Sequence, residues 1–268
     1  MNGIKILIQI ICLATICSIQ SSCFHKSETR YGENPETGKY AEVNGIQLYF
    51  EMYGNGKPLV MLHGNGGSIE AFKNQIPFFE RNFRVIAIDS RLHGKSGGSP
   101  DSLSYVQIAD DVSSLLEHLK IDSAYVLGWS DGGIDGLILA MNHPEKVKAL
   151  AVSGANIFSD STSLPASDIK GMENIVSEKS TASERDKTLN RMMLYQPNLT
   201  YSDLTRKIKC SVLVMAGDRD IIKPEHTISI FQAIPKSELC VFPNSSHGAL
   251  QEHSDLFNST VENFFNRN

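Results

Sequence analysis

Ser130 is the residue of this chain whose surroundings point most directly to covalent chemistry. Residues 128–133 read Gly-Trp-Ser-Asp-Gly-Gly and match the G-x-S-x-G pattern. An apolar run at 124–127 predicts a buried strand before them, and apolar residues at helical spacing follow from 134 to 141. A serine at such a strand-to-helix turn is a nucleophile elbow, which needs glycines because strand and helix pass close together. Glycine-rich turns also occur in nucleotide-binding folds, so the motif alone leaves that alternative open.

His247 is the candidate general base for Ser130. It lies in the loop 244–248, directly after the last predicted strand. Parallel strands end at one edge of a sheet, where Ser130 also emerges, so His247 would take the serine proton and return it to the leaving group. Asp218 and Asp220 follow the preceding predicted strand, and both are candidates for the acid that orients His247.

Other histidines invite competing interpretations. His63 and His93 are alternative bases, but His63 stands beside a glycine-rich turn, where packing or hydrogen bonding is the simpler role. Glu252 and His253 suggest a metal site together with His247, yet their spacing matches no established ligand pattern. The sequence therefore predicts chemistry without a metal or a cofactor.

Strands alternate with helices along most of the chain. A hairpin is predicted at 40–53 around Asn44-Gly45, and mainly apolar runs at 58–62, 85–88, 124–127, 147–152, 211–215 and 238–242 predict buried strands. Helical patterns cover 69–79, 105–119 and 254–265, the second with a capping box formed by Ser104 and Gln107. This alternation predicts a single α/β domain, a parallel sheet with helices on both faces.

Residues 157–207 interrupt that alternation. The segment is rich in Ser, Thr, Asp, Glu and Lys, with short helical patches near 169–176 and 189–194. A long polar insertion between core strands predicts a lid. Beyond residue 23 the cysteines are Cys210 and Cys240, each at the start of a predicted core strand. Buried free thiols are expected there rather than a disulfide.

The first 23 residues predict an export signal. Lys5 precedes a nearly all-apolar stretch at 6–19, and small residues lead to Cys23. The ending resembles a bacterial lipoprotein signal, in which that cysteine is acylated and anchors the chain to a membrane, although Gln20 stands where an aliphatic residue is usual. The alternative is a plain cleaved signal. Localisation is accordingly predicted as exported, periplasmic or membrane-anchored.

Composition and net charge argue against two other classes of protein, those that bind nucleic acid and those that span a membrane. Residues 24–38 are polar, with Gly and Pro, and predict a flexible tether before a domain at 39–268. A net charge of −5 argues against a nucleic-acid partner. No apolar run of about 18 residues, the length of a membrane span, occurs in the body of the chain.

With the elbow, His63-Gly64, residues 217–220 and residues 246–248 together, the chain resembles the α/β-hydrolase family over residues 40–266. The order serine, acid, histidine is that of this family. Residues 128–133 and 154–156 look like the biphenyl-hydrolase-like, or valacyclovir hydrolase, branch. The chain departs from that branch in two features: its lid is shorter, and Leu92 stands where a glycine is common. The resemblance implies a mostly parallel eight-stranded sheet flanked by helices, with a short inserted lid.

The resemblance also implies roles for individual residues. The family spacing of a glycine, two residues and then the acid falls on Asp220. The two oxyanion donors of the family correspond to the backbone N–H groups of Asn65 and Asp131. The resembled branch further implies that the Asp131 side chain binds a substrate ammonium group, and the alternative is that it caps the helix after the elbow.

These features predict an exported serine hydrolase that cleaves a small-molecule carboxylic ester, including α-amino acid esters, or an amide. An acyltransferase or a carbon–carbon bond hydrolase would use the same triad. A non-catalytic ligand-binding protein on this fold is the alternative outside enzymology, and the complete set of triad residues argues against it.

Overall fold

The computed structural model describes residues 30–268. The predicted signal at 1–23, with Cys23, and the first part of the predicted tether at 24–29 lie outside the described residues.

A central sheet organises the domain. Its strands are β1 (Gly38–Val43), β2 (Ile46–Tyr53), β3 (Lys57–Leu62), β4 (Phe83–Ile88), β5 (Ala124–Trp129), β6 (Val147–Ser153), β7 (Ser211–Gly217) and β8 (Ser237–Phe242). Their order is β1-β2-β4-β3-β5-β6-β7-β8. The pairs β1–β2 and β2–β4 are antiparallel and the other pairs are parallel. The predicted mostly parallel eight-stranded sheet is confirmed.

Helices cover both faces of this sheet. They are α1 (Ile76–Phe79), α2 (Tyr105–His118), α3 (Asp131–Asn142), α4 (Ala166–Val176), α5 (Glu184–Tyr195), α6 (Tyr201–Lys207), α7 (Pro224–Ala233), α8 (Ala249–Glu252) and α9 (Ser254–Arg267). Val60 and Leu62 of β3 face one core with α2 and α3, and Leu59 and Met61 face a second core with α1 and α9. Strand β3 is apolar on successive residues because both of its faces are buried.

Local sequence signals place several elements correctly. Asn44 and Gly45 take positive φ angles of 44° and 77° in the β1–β2 turn, as the hairpin prediction requires. The hydroxyl of Ser104 accepts the Gln107 N–H at 3.0 Å at the start of α2. The second half of the predicted capping box is wrong, because the Gln107 side chain donates to Asp111 instead.

The helical pattern at 69–79 is broken in the structure. A 3₁₀ turn at Ile69–Phe72 and the short α1 replace the single predicted helix. Pro77 has no N–H to donate to the carbonyl group of residue 73, so a continuous helix would lose that hydrogen bond.

The later part of the predicted tether, residues 30–38, is packed against the domain. The buried Glu51 carboxylate of β2 accepts the backbone N–H groups of Gly32 and Asn34 at 2.8 and 2.9 Å, and the hydroxyls of Tyr49 and Tyr53 at 2.8 and 2.7 Å. A buried carboxylate is stable only when its oxygens are hydrogen-bonded, and here the N-terminal segment supplies half of those donors. The tether prediction is therefore wrong for these residues.

The insertion at 157–207 contains α4, α5 and α6. Helices α4 and α5 contain the two predicted helical patches, whereas Leu204 of α6 is buried in the main core, so that helix is part of the body. Helix α4 buries Met172, which packs with Leu164 and Ile222 in a small third cluster.

Cys210 and Cys240 are free thiols, as predicted, but both are partly exposed rather than buried. Cys210 lies just before β7. Cys240 lies on the edge strand β8 and packs against the second core, but no further strand of the described chain covers its outer side. Within residues 30–268, no helix combines the length and the apolar character that a membrane crossing needs.

Candidate active site

Ser130 occupies a strained position between β5 and α3. Its φ and ψ angles are 55° and −121°, a conformation that an L-residue adopts only when its surroundings enforce it. A Cβ atom at Gly128 would lie 2.1 Å from the Gly132 carbonyl oxygen, and one at Gly132 would lie 2.0 Å from the Leu62 carbonyl oxygen. The two glycines are thus required because α3 crosses directly over the ends of β5 and β3.

The structure brings Ser130, His247 and Asp220 into one hydrogen-bonded chain. The Ser130 hydroxyl lies 2.9 Å from His247 Nε2, and His247 Nδ1 lies 2.7 Å from Asp220 Oδ1. The Asp220 side chain is 1% exposed and the His247 side chain 19%. A proton on Nδ1 that is donated to Asp220 leaves Nε2 free to accept the serine proton.

Asp218, the rival acid, lies elsewhere. Its carboxylate accepts the Ser245 N–H at 3.0 Å. Hydrogen bonds from the backbone N–H groups of Asn244 and Ser245 hold the pKa of Asp218 below its usual value. Asp218 therefore shapes the loop that carries His247, whereas Asp220 contacts the imidazole.

Gly154 and Trp129 hold the imidazole in place. A Cβ atom at Gly154, whose φ is +65°, would stand 2.6 Å from His247 Cε1. The Trp129 indole N–H donates to the His247 carbonyl oxygen at 2.9 Å. Neither role was predicted, although Trp129 and Gly154 both lie in motifs singled out in the sequence.

Asn65 and Asp131 stand where backbone donors to an oxyanion are expected. Asp131 is the first residue of α3, so its N–H has no acceptor within the helix. Among the hydrogen bonds of residues 30–268, none is donated by the backbone N–H of Asn65. A Cβ atom on Gly64 would come within 3.0 Å of Ser130 Cβ, which shows how closely the Asn65 loop approaches the serine.

The Asp131 carboxylate faces the site and does not cap α3. Its Oδ2 accepts the side-chain N–H of Asn65 at 2.8 Å, and the residue is 6% exposed. Burial raises the pKa of Asp131 to about 6, although hydrogen bonds from Asn65 and Tyr105 and the nearby His247 partly oppose that rise. Tyr105 was predicted as a core residue of α2, and its contact with Asp131 was missed.

His63 and His93 are structural. The Ser90 N–H donates to His63 Nε2 at 3.1 Å, so His63 Nδ1 carries the proton and donates to the Gly64 carbonyl oxygen at 2.8 Å. Burial lowers the pKa of His63 to about 3 and that of His93 to about 4. Both rings are neutral at physiological pH and neither contacts Ser130.

Glu252 and His253, considered above for a metal site, have other partners. Glu252 accepts hydrogen bonds from Ser245 and Ser246, and His253 Nε2 lies 3.3 Å from the Asn244 carbonyl oxygen. These contacts fix the loop before His247. Within the described part of the chain, no three His, Cys, Asp or Glu side chains converge in a way that could hold a metal ion.

A cavity of about 700 Å³ lies against Trp129, the residue before Ser130. The residues that line it are Gly66, Gly67, Ser68, Glu70, Ala71, Lys73, Gly94, Trp129, Arg185 and Gln251. Its lining thus combines the loop that follows Asn65 with Trp129 and with Arg185 of the lid helix α5. Sequence reasoning missed Arg185, because nothing in the polar insertion marks which of its side chains face the site.

Comparisons with known proteins agree with this geometry. Residues 57–211 match the family model described as alpha/beta hydrolase fold. The human serine hydrolase BPHL is 28% identical over 258 residues, covering 87% of this chain and 88% of that protein. A 2-hydroxy-6-oxononadienedioate/2-hydroxy-6-oxononatrienedioate hydrolase of Comamonas testosteroni is 25% identical, covering 85% and 96%.

A solved structure extends the agreement to three dimensions. An esterase from Exiguobacterium antarcticum superposes with a TM-score of 0.74 at 22% identity, covering 85% of this chain and 98% of that one. The matched family model spans more than half of the chain, and the similarity to BPHL agrees with the branch that the motifs resemble. This chain is a member of the α/β-hydrolase family.

Proposed function

We propose that this protein is a serine hydrolase that cleaves carboxylic esters through an acyl-enzyme. The observation that carries the proposal is the continuous contact from Ser130 Oγ to His247 Nε2 and from His247 Nδ1 to Asp220, at 2.9 and 2.7 Å. Backbone N–H groups of Asn65 and Asp131 stand beside the same serine. Nucleophile, base, orienting acid and oxyanion donors are the complete set of groups that acyl transfer requires.

In the first half-reaction, His247 Nε2 removes the Ser130 proton as Oγ bonds to the carbonyl carbon. The carbonyl oxygen becomes an oxyanion that accepts hydrogen bonds from the N–H groups of Asn65 and Asp131. The carbon–oxygen bond to the alcohol then breaks, and the alcohol leaves with the proton from His247. In the second half-reaction, His247 removes a proton from water as the water oxygen bonds to the acyl carbon. The bond from that carbon to Ser130 Oγ then breaks, His247 returns the proton to Oγ, and the free acid is released.

The buried carboxylate of Asp131 supports α-amino acid esters as the preferred substrates. The carboxylate lies beside the oxyanion donors, where an uncompensated negative charge opposes the charge that develops in the transition state. An α-ammonium group on the acyl part would neutralise Asp131 and gain a charge-assisted hydrogen bond of about 1.5–3 kcal/mol. Such esters should therefore be hydrolysed about ten to a hundred times more efficiently than matched esters without the amine.

An activity-based probe tests the catalytic assignment. A fluorophosphonate should label Ser130, and Ser130→Ala should abolish both labelling and hydrolysis of p-nitrophenyl acetate. Activity of the Ser130→Ala protein, or labelling at another residue, would contradict the proposed mechanism. A protein that labels at Ser130 but cleaves only carbon–carbon bonds, or transfers the acyl group to a second alcohol instead of water, would identify one of the alternative reactions.

We further propose that the protein is exported and that Cys23 is its lipid-attachment site. The supporting features are the apolar stretch at 6–19 and the small residues before that cysteine. Cys23→Ala should then move the protein from the detergent-extracted membrane fraction to the soluble fraction and remove the acyl mass. Equal partitioning of both proteins, with no lipid mass on either, would show that Cys23 is incidental.

A further inference from the structure

The cavity beside Trp129 adjoins a second and larger one. The second cavity has a volume of about 1100 Å³ and reaches from Ser68 and Gly94 to Arg30 at the N-terminal segment. Four residues line both cavities: Ser68, Glu70, Lys73 and Gly94. Together the cavities form a groove that starts at Trp129, the residue before the nucleophile, and runs to the N-terminal segment.

This groove lies on the side of the site where the alcohol leaves. The proton for the leaving group comes from His247. The groove is lined by Trp129, which donates a hydrogen bond to the His247 carbonyl oxygen, and by Gln251 of α8, four residues after His247. Asp131 lines neither cavity, and its buried carboxylate accepts the side-chain N–H of Asn65 at 2.8 Å. A substrate group bound at Asp131 and a group bound in the groove would therefore occupy different places.

Positive charge exceeds negative charge in the first cavity. Its charged side chains are Lys73 and Arg185 against Glu70. Among the described residues, Lys73 makes no ion pair within 4 Å. Such a pair of cations is suited to anionic oxygens on a bound molecule.

Arg185 is oriented rather than free. Its Nε donates to the Leu92 carbonyl oxygen at 2.9 Å, which leaves the terminal guanidinium nitrogens for another acceptor, and the nearest is the carboxylate of the adjacent Asp186 at a loose 3.9 Å. After burial, which is the main cause, the Arg185 charge helps to lower the pKa values of His63 and His93. Its positive charge therefore acts electrostatically on the loop that carries Asn65, the oxyanion donor.

We propose that Lys73 and Arg185 form a leaving-group subsite that binds an anionic group, a phosphate or a carboxylate, on the alcohol part of the ester. This inference rests on the proposed esterase function and adds a requirement on the alcohol part of the substrate. The preferred substrate is then an α-amino acid ester of an anionic alcohol. The adjoining cavity gives room for an alcohol larger than the anionic group alone.

Three aryl acetates with leaving groups of similar acidity test the subsite. They are 4-(phosphonomethyl)phenyl acetate, 4-(carboxymethyl)phenyl acetate and the neutral 4-(carbamoylmethyl)phenyl acetate. The two anionic esters should show kcat/KM values about tenfold above that of the neutral ester, since each partly exposed cation contributes about threefold. The ratio should fall to about three in Lys73→Met and in Arg185→Met, and to about one in the double variant.

Two further variants separate charge from structure. Arg185→Lys should retain most of the preference, because it keeps the positive charge. Lys187 lies on the same helix as Arg185 and pairs with Glu184. Lys187→Met should leave unchanged both the rate with the neutral ester and the ratio of anionic to neutral kcat/KM. A ratio near one in the unmodified protein, or a ratio that persists in the double variant, would overturn the subsite. Failure of the neutral ester to react at Ser130 would instead count against the proposed esterase function.

Discussion

Replacing Asp131 by asparagine removes one buried negative charge while keeping the size of the side chain. The asparagine carbonyl oxygen can still accept the side-chain N–H of Asn65, which lies 2.8 Å from Asp131 Oδ2. The backbone N–H of residue 131 is unchanged, so the oxyanion donor is retained. Asp131→Asn therefore isolates the effect of the carboxylate charge on stability and on substrate choice.

The magnitude follows from the raised pKa of Asp131. An ordinary aspartate has a pKa of 3.8 and the buried carboxyl has a pKa of about 6, a difference that corresponds to about 3 kcal/mol. Because the folded pKa is the higher one, this destabilisation is absent below pH 4, grows between pH 4 and 6, and is complete above pH 6. Asp131→Asn should raise the free energy of unfolding by about 3 kcal/mol at pH 8 and by about half as much at pH 5.

The same charge governs the preference for aminated substrates. For the unmodified protein, kcat/KM for alanine p-nitrophenyl ester should exceed that for p-nitrophenyl propionate by about ten- to a hundredfold near pH 7. The ratio should decline as the pH falls through about 6, since a protonated Asp131 no longer pairs with the ammonium group. Using the ratio of the two esters cancels any effect of pH on the catalytic steps that both esters share.

Two measurements on Asp131→Asn decide the matter. Chemical denaturation at pH 5 and pH 8 gives the difference in unfolding free energy, and steady-state kinetics with the two esters gives the ratio. Loss of the amine preference together with a pH-dependent gain in stability would support the reasoning. An unchanged ester ratio in the variant, or a stability difference that does not grow between pH 5 and pH 8, would refute it.

Two other predictions concern positioning and folding. Gly154→Ala should lower kcat at least a hundredfold, because the new Cβ would displace His247, whereas Gly171→Ala, with open space around its Cβ, should leave ester hydrolysis unaffected. Equal rates for the two variants would show that His247 tolerates the change. Glu51→Ala should reduce the free energy of unfolding by about 3 kcal/mol or more and accelerate hydrogen exchange at residues 32 and 34, since four hydrogen bonds are lost. Glu42→Ala, at an exposed position of β1, is the control. Equal melting temperatures of Glu51→Ala and Glu42→Ala would contradict this role of Glu51.

Those features that depend on local patterns were predictable. The elbow around Ser130 was predicted because its glycines and the flanking apolar runs lie within about twenty residues of sequence. The β1–β2 turn and the start of α2 were predicted from Asn44-Gly45 and Ser104 for the same reason. Candidates for the acid could be reduced to two by position, and the resemblance favoured Asp220, the one that contacts His247.

Features that depend on distant partners were not predictable. Glu51 has the period-two placement of an ordinary strand residue, and nothing local indicates that residues 30–34 complete its hydrogen bonds. Arg91 forms a buried ion pair with Asp111 at 2.7 Å. The two residues are twenty positions apart, and no local sequence pattern indicates that they pair. Arg185 reaches the site from α5 in the polar insertion, where amphipathic periodicity is too weak to assign faces.

The lid helices α4 and α5 differ in how much apolar surface they bury. Leu189 and Met192 pack α5 against the main core, whereas the one buried residue of α4 is Met172, in the small third cluster with Leu164 and Ile222. A helix with so little buried apolar surface opens by local unfolding at a small fraction of the global free energy.

Opening of α4 would affect the acid of the triad, Asp220. Ile222, which α4 covers, donates its backbone N–H to Asp220 Oδ1 at 2.9 Å. With α4 in place that hydrogen bond is shielded from water, and with α4 released it competes with solvent. Release of α4 would thus loosen the acid that orients His247, so the packing of one weakly held helix affects the geometry of the triad.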